Sequence, residues 1–376
     1  MTTKQGMWMG STTCLLTVHG IGFEQPPEGG RPGYADGLHA ALHAVLGDRL
    51  GDDPERPGSA GPVYVTSHVD GSRAEGLARL RPGRPLTEDG RIAHVALVYS
   101  PSEPTRPSAV TTADALARVA LHHGQYASAV GTLRMIIEDA WAGLRHHSRR
   151  RAGHLVPRAP ATGGSPSTVR ALEDDAATYI SRNDVRERVR GFVQDAVLAL
   201  LDRDDVDAVI VNAHSQGTVV CWDVLCRLPF LSWRASGDRR AEMIRYFVTA
   251  GSPIRKQIDL FSWGEQVGQL AAFAGGGEPP MGWRNFWDPK DPVADPLDPP
   301  ASWRPGEGKG RRSAGDPGLL VATDPETGEQ RHFGVVDVKV DNVANSPGGA
   351  LRAHDYWANQ AQFVPALAAL LTGKGH

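Results

Sequence analysis

Residues 207–217 read Asp-Ala-Val-Ile-Val-Asn-Ala-His-Ser-Gln-Gly, and this stretch decides the fold. Asp207–Asn212 is the strongest strand signal in the chain, short, apolar and rich in valine and isoleucine. Ala213-His214-Ser215-Gln216-Gly217 interrupts it, and a helix is expected through Val219–Leu228. A strand apolar on both sides suits the inside of a parallel sheet covered by helices. A sharp strand-to-helix turn pushes the serine Oγ out above the sheet edge. The residues two before and two after it must be small to avoid a collision across the turn, and here they are Ala213 and Gly217. The helix that follows aims its first N–H groups at Ser215, which favours negative charge developing there.

The flanking sequence repeats the strand–helix alternation. Thr12–Val18 is a buried-strand pattern that stops at His19-Gly20-Ile21-Gly22. Tyr34–Leu50 carries Leu38, Leu42 and Leu46 at helical spacing. Val63–Val69, His94–Ser100, Arg245–Ala250, Trp283–Trp287 and Val335–Val340 read as strands, the last paired with Leu319–Ala322. Thr168–Ile180, Val185–Leu201 and Tyr356–Leu371 read as helices, and Val130–Leu144 has the same spacing with Met135 and Trp141. The expected fold class is α/β, a three-layer α/β/α sandwich with a mostly parallel central sheet. Residues 101–183 are the least sheet-like and read as a helical insertion or cap, while 273–318 is a long loop.

Composition narrows the class. The 376 residues carry 40 basic and 43 acidic side chains, so a net charge of −3 gives no reason to expect nucleic acid as a partner. Three cysteines, Cys14, Cys221 and Cys226, are no disulfide framework and suit a reducing, cytoplasmic compartment. No run approaches the ~20 apolar residues of an integral membrane segment. Length alone fits ~2.5 domains. Glycine (43) and proline (28) exceed ordinary usage and cluster in loop-like stretches such as Asp53–Pro62 and Arg158–Ser167.

Nucleophilic chemistry at Ser215 needs a base, an acid and oxyanion donors. Three histidines follow the serine: His332, His354 and His376. His354, in Arg352-Ala353-His354-Asp355-Tyr356-Trp357, lies after the last strand and before the last helix, where the base belongs. The acid is sought in Trp287-Asp288-Pro289-Lys290-Asp291-Pro292-Val293; Asp291, shortly before a valine, is the first choice and Asp288 the alternative acid. Asp288 also has the position of a turn former. Backbone N–H groups of Gln216 and Ile21 are the oxyanion-hole candidates.

These pieces, TVHGIG, NAHSQG, VTAGSPI, WDPKDPVADPL and AHDYW, resemble an α/β-hydrolase of the lipase/esterase group. The Asp-Pro-Val-Ala loop with the later His-x-Tyr-Trp also resembles DDHD-type phospholipases and related bacterial serine hydrolases. The resemblance implies the α/β-hydrolase fold, hydrolysis of a small-molecule or lipid acyl ester through an acyl-enzyme, and no metal or organic cofactor. A thioesterase or acyltransferase of the same fold is the alternative, as is a non-catalytic binding protein built on it. Because the motif residues run from 20 to 354 and must meet at one site, 1–376 is read as a single hydrolase domain with insertions.

Other signals are weaker. His39 and His43 have zinc spacing but lack the Glu of H-E-x-x-H, so they are expected at a surface or interface. Arg149-Arg150-Arg151 reads as a solvated helix end. Cys221 and Cys226 are expected to pack behind the serine.

Overall fold

The computed structural model describes residues 12–20, 27, 32–56, 58, 60–67, 73–88, 91–99, 183–255, 281–291, 293–297, 321–323, 330–332, 335–346 and 352–374. Seven strands form the central sheet: β1 (Thr12–Val18), β2 (Val63–Ser67), β3 (Ala93–Tyr99), β4 (Val206–His214), β5 (Ile244–Ala250), β6 (Gly282–Trp287) and β9 (Val335–Lys339). Their order is β2-β3-β1-β4-β5-β6-β9, and every neighbouring pair is parallel. The chain is therefore of the α/β class.

Alternate side chains of the central strands feed two cores. On one face Leu16, Val209, Val211 and Phe247 pack with α3 (Asn183–Leu201) and α4 (Gln216–Leu225). On the other, Leu15, Ile210, Val248 and Phe286 pack with α1 (Asp36–Leu46) and the last helix, Phe363–Leu371. The period-2 alternation of a strand explains how one run, such as Val209-Ile210-Val211, serves both layers. Strand order reverses between β1 and β4, because β2 and β3 lie on one side of β1 and the later strands on the other. In open α/β sheets that switch point, at the carboxyl ends of the strands, is where the chain leaves a crevice.

Several boundaries differ from the sequence expectation. The expected helix Tyr34–Leu50 is α-helical over Asp36–Leu46 and ends in a 3-10 turn at Gly47–Arg49. The last helix begins at Phe363 rather than Tyr356. Val335–Lys339 does not pair with the segment near residue 320; it joins β6 in parallel, while β7 (Val321–Thr323) makes a separate antiparallel pair with β8 (Gln330–His332). Alternation identifies a strand but carries no information about its partner.

His39 is also corrected. It is buried, not superficial, and its Nε2 donates to Asp52 at 2.9 Å. That bond leaves Nδ1 to accept from His94 Nδ1–H at 3.1 Å, and His94 Nε2 then accepts the Thr17 hydroxyl at 2.9 Å. Burial lowers the pKa of both rings, that of His94 well below the ordinary value. Cys221 is buried as expected, whereas Cys226 is exposed at the end of α4. Of the insertion expected over 101–183, residues 101–182, with Val130–Leu144, Thr168–Ile180 and the arginine run, lie outside the described residues, as do His376 and most of 273–318. No described helix is long and apolar enough to cross a membrane.

Candidate active site

Ser215 sits between β4 and α4 with φ 53° and ψ −130°, the one non-glycine residue with positive φ among those described. Such a conformation costs about 1–3 kcal/mol and persists only where its surroundings enforce it. Three bonds do so here. Ser215 N–H donates to Ala250 O at 2.9 Å, and its carbonyl accepts from Thr218 N–H at 3.0 Å and from the Thr218 hydroxyl at 2.7 Å. The Thr218 hydroxyl also bonds Ser252 Oγ at 2.8 Å, which ties the turn to the end of β5.

The small residues around the serine answer to a neighbour more than to the turn itself. A Cβ on Gly217 would lie 2.2 Å from His19 O and 2.8 Å from Val18 O. A Cβ on Gly20 would lie 2.4 Å from Ser215 Cβ. The elbow and the end of β1 are thus pressed together at the switch point, and glycine on each side makes the approach possible. Gln216 begins α4, so its backbone is placed at the helix N-terminus beside Ser215. Ile21, the other oxyanion candidate, lies outside the described residues.

The structure brings Asp291 and His354 together. His354 Nδ1 and Asp291 Oδ2 are 2.8 Å apart, with both side chains almost fully buried. Asp291 Oδ2 also accepts the Tyr356 hydroxyl at 2.9 Å, and Oδ1 accepts Val293 N–H at 2.9 Å. Burial alone would raise the Asp291 pKa. The adjacent imidazole and the three donors outweigh it, and the carboxyl stays below its ordinary value. An ionised Asp291 facing Nδ1 fixes the proton there and leaves Nε2 as the ring's other nitrogen, the one that can act as base.

Asp288 occupies a different role. Its Oδ1 accepts Lys290 N–H and its Oδ2 accepts Asn342 N–H, both at 2.7 Å, while its carbonyl accepts Asp291 N–H. It shapes the loop that presents Asp291, and no hydrogen bond joins it to His354. Its pKa is raised by burial. Asn342 in turn donates to Ala353 O, so one cluster holds the loop after β6 and the loop before His354 in a common frame.

Three residues escaped the sequence reading. Tyr356 donates to Asp291 and accepts Asp288 N–H at 2.8 Å, bridging the two aspartates. Gly251 has φ +64°, and a Cβ there would meet His354 Cε1 at 2.7 Å, so the His354 ring needs the space that glycine leaves. His214 donates Nε2–H to the His354 carbonyl at 2.8 Å. Of these, only Tyr356 carried a local signal, its place two residues after His354. His19, fully buried, stacks on Tyr99 with centroids 4.2 Å apart, and burial lowers its pKa to about 4. No group of three or more metal-ligating side chains occurs among the described residues. Comparison of the chain with protein-family models, curated proteins and solved structures gives no match.

Proposed function

We propose that the protein is a serine hydrolase of the α/β-hydrolase fold that cleaves carboxylic esters, lipid or other acyl esters included. The observation that carries this reading is the buried Asp291–His354 pair, joined through the His354 carbonyl to His214, the residue before a strained serine at a strand-to-helix turn. Ser215 Oγ attacks the acyl carbonyl while His354 Nε2 takes its proton. Asp291 orients the ring through Nδ1–H and stabilises the imidazolium. The N–H of Gln216, at the start of α4, is the proposed donor to the oxyanion, with the N–H of Ile21 the second donor expected from the sequence. The ester C–O bond then breaks, and the leaving alcohol collects the proton from His354. Water attacks the acyl-enzyme with His354 again as base, releasing the acid and returning the proton to Ser215.

A fluorophosphonate probe tests the reading directly. Wild-type protein should be labelled and Ser215→Ala should not. Wild-type protein that neither reacts nor hydrolyses short- or long-chain acyl esters would refute it.

A further inference from the structure

The residue before the nucleophile is bound to the backbone of the base. His214 is the last residue of β4, and its ring lies 4.6 Å from that of His354 and 5.1 Å from that of Trp357, centroid to centroid. A carbonyl oxygen only accepts, so the 2.8 Å contact with His354 O fixes the proton on His214 Nε2. The ring is buried, with burial the main cause and the His354 charge a further one that bring its pKa down to about 3. It therefore stays neutral beside the positive charge that His354 acquires in the proposed reaction.

We propose that His214 is a positioning residue for the base: its Nε2–H holds the His354 carbonyl to the nucleophile's own turn, so that serine and imidazole keep one spacing through acylation and deacylation. The inference rests on the serine-hydrolase reading above. The mechanical reason is direct. Ser215 is fixed by β4, β5 and α4, but His354 belongs to a 3-10 turn of three residues, Arg352–His354, between two loops. Asp291 secures the ring at Nδ1, and Asn342 holds the turn's backbone at Ala353 O, but both of these anchors belong to the acid side of the site. The His214 bond supplies the anchor to the nucleophile's side, at the His354 carbonyl itself. The titratable groups near His214 include His354, Asp291, His19 and Tyr356; of these Asp291 favours a charged ring, and burial outweighs it.

Two substitutions separate the donor from the ring. His214→Phe keeps an aromatic ring and removes the N–H; His214→Gln removes the ring and keeps an N–H at a similar reach. Fluorophosphonate labelling rate, kcat and KM are measured for each, with thermal melting to confirm that the chains fold. His214→Phe should lose roughly ten- to a hundredfold in labelling rate and kcat, the scale of a small misplacement of reacting groups, with KM little changed. His214→Gln should recover most of that loss. A folded His214→Phe protein labelled at the wild-type rate, or a Gln variant as slow as Phe, would overturn the proposal. A measurement on the unaltered chain covers the case in which the variants do not fold. Imidazole 15N shifts near neutral pH should show His214 as the neutral Nε2–H tautomer, and the Nδ1–H tautomer or a charged ring would overturn it. These results are distinct from failure of the enzyme reading itself, in which wild-type protein is not labelled at all.

Discussion

Two histidine–aspartate pairs are built against this sheet, and by distance they are twins. His354 meets Asp291 at 2.8 Å, and His39 meets Asp52 at 2.9 Å. The second pair leads through His94 to the Thr17 hydroxyl, while the first is tied by the His354 carbonyl to His214, the residue before Ser215. The difference lies in what surrounds them. The Asp291 side chain is 0% exposed and that of Asp52 is 41% exposed, so water screens one carboxylate and not the other. Thr17 lies inside β1, bonded and fully buried, where no substrate reaches. Ser215 stands at a strand end on a strained turn. A short His–Asp bond is therefore a structural device by default; in the proposed enzyme it acquires chemical meaning from a hydroxyl at a strand end on a strained turn rather than one inside a strand.

Substitutions at the two pairs should separate them by orders of magnitude. Asp291→Asn is expected to lower kcat by ~10⁴, the scale set by losing the correct tautomer of the base. Asp52→Asn should leave kcat within about twofold and cost under ~1 kcal/mol of stability, as an exposed partner does. Equal activity losses in ester hydrolysis would dissolve the contrast.

Next in size is the glycine that lets elbow and β1 meet. Gly217→Ala places a methyl 2.2 Å from a backbone carbonyl, which has no room to yield. A loss of roughly 1–3 kcal/mol or more in urea unfolding is expected, together with most of the activity. Unchanged stability would mean that the approach of the two strand ends is looser than described.

Asp288→Asn should be milder than Asp291→Asn. It keeps one acceptor oxygen of two and does not touch the base, so most activity should survive with a stability cost of about 1–2 kcal/mol. Loss comparable to Asp291→Asn would move the acid to Asp288.

Acid tests the buried imidazoles together. His19, His94 and His214 have folded pKa values below the unfolded value of ~6.5. As pH falls below that value the unfolded chain takes up protons that the folded chain refuses, so stability drops. The slope for each ring approaches about 1.4 kcal/mol per pH unit until its folded pKa is reached. Asp291 has the opposite window: its depressed carboxyl contributes stability above the ordinary carboxylate range and loses it only in stronger acid. Urea unfolding at pH 7, 6 and 5 should therefore show falling stability above the ordinary carboxylate range, and a flat profile would contradict the buried, neutral state of these rings.

The sequence was most legible where structure is local. The strand over 206–214, the turn at Ser215 and the helix behind it are written in eleven consecutive residues. Asp291 and His354 were reachable from chain order and the short motifs around them. What stayed hidden depends on partners far along the chain. His39 looked superficial because His94, which buries it, lies 55 positions away. The partner of β9 is not legible, because a strand's pattern records its faces, not its neighbours. Gly251, Tyr356 and His214 acquire their roles only when the loops after β5, β6 and β9 converge on one point.

The conformation of Ser215 has an evolutionary edge. Glycine occupies such a backbone at far lower cost than serine, so Ser215→Gly should fold more tightly than the natural chain. In the proposed enzyme the serine stays only while its hydroxyl is in use, which makes residue 215 the position where disuse would first be written into the sequence.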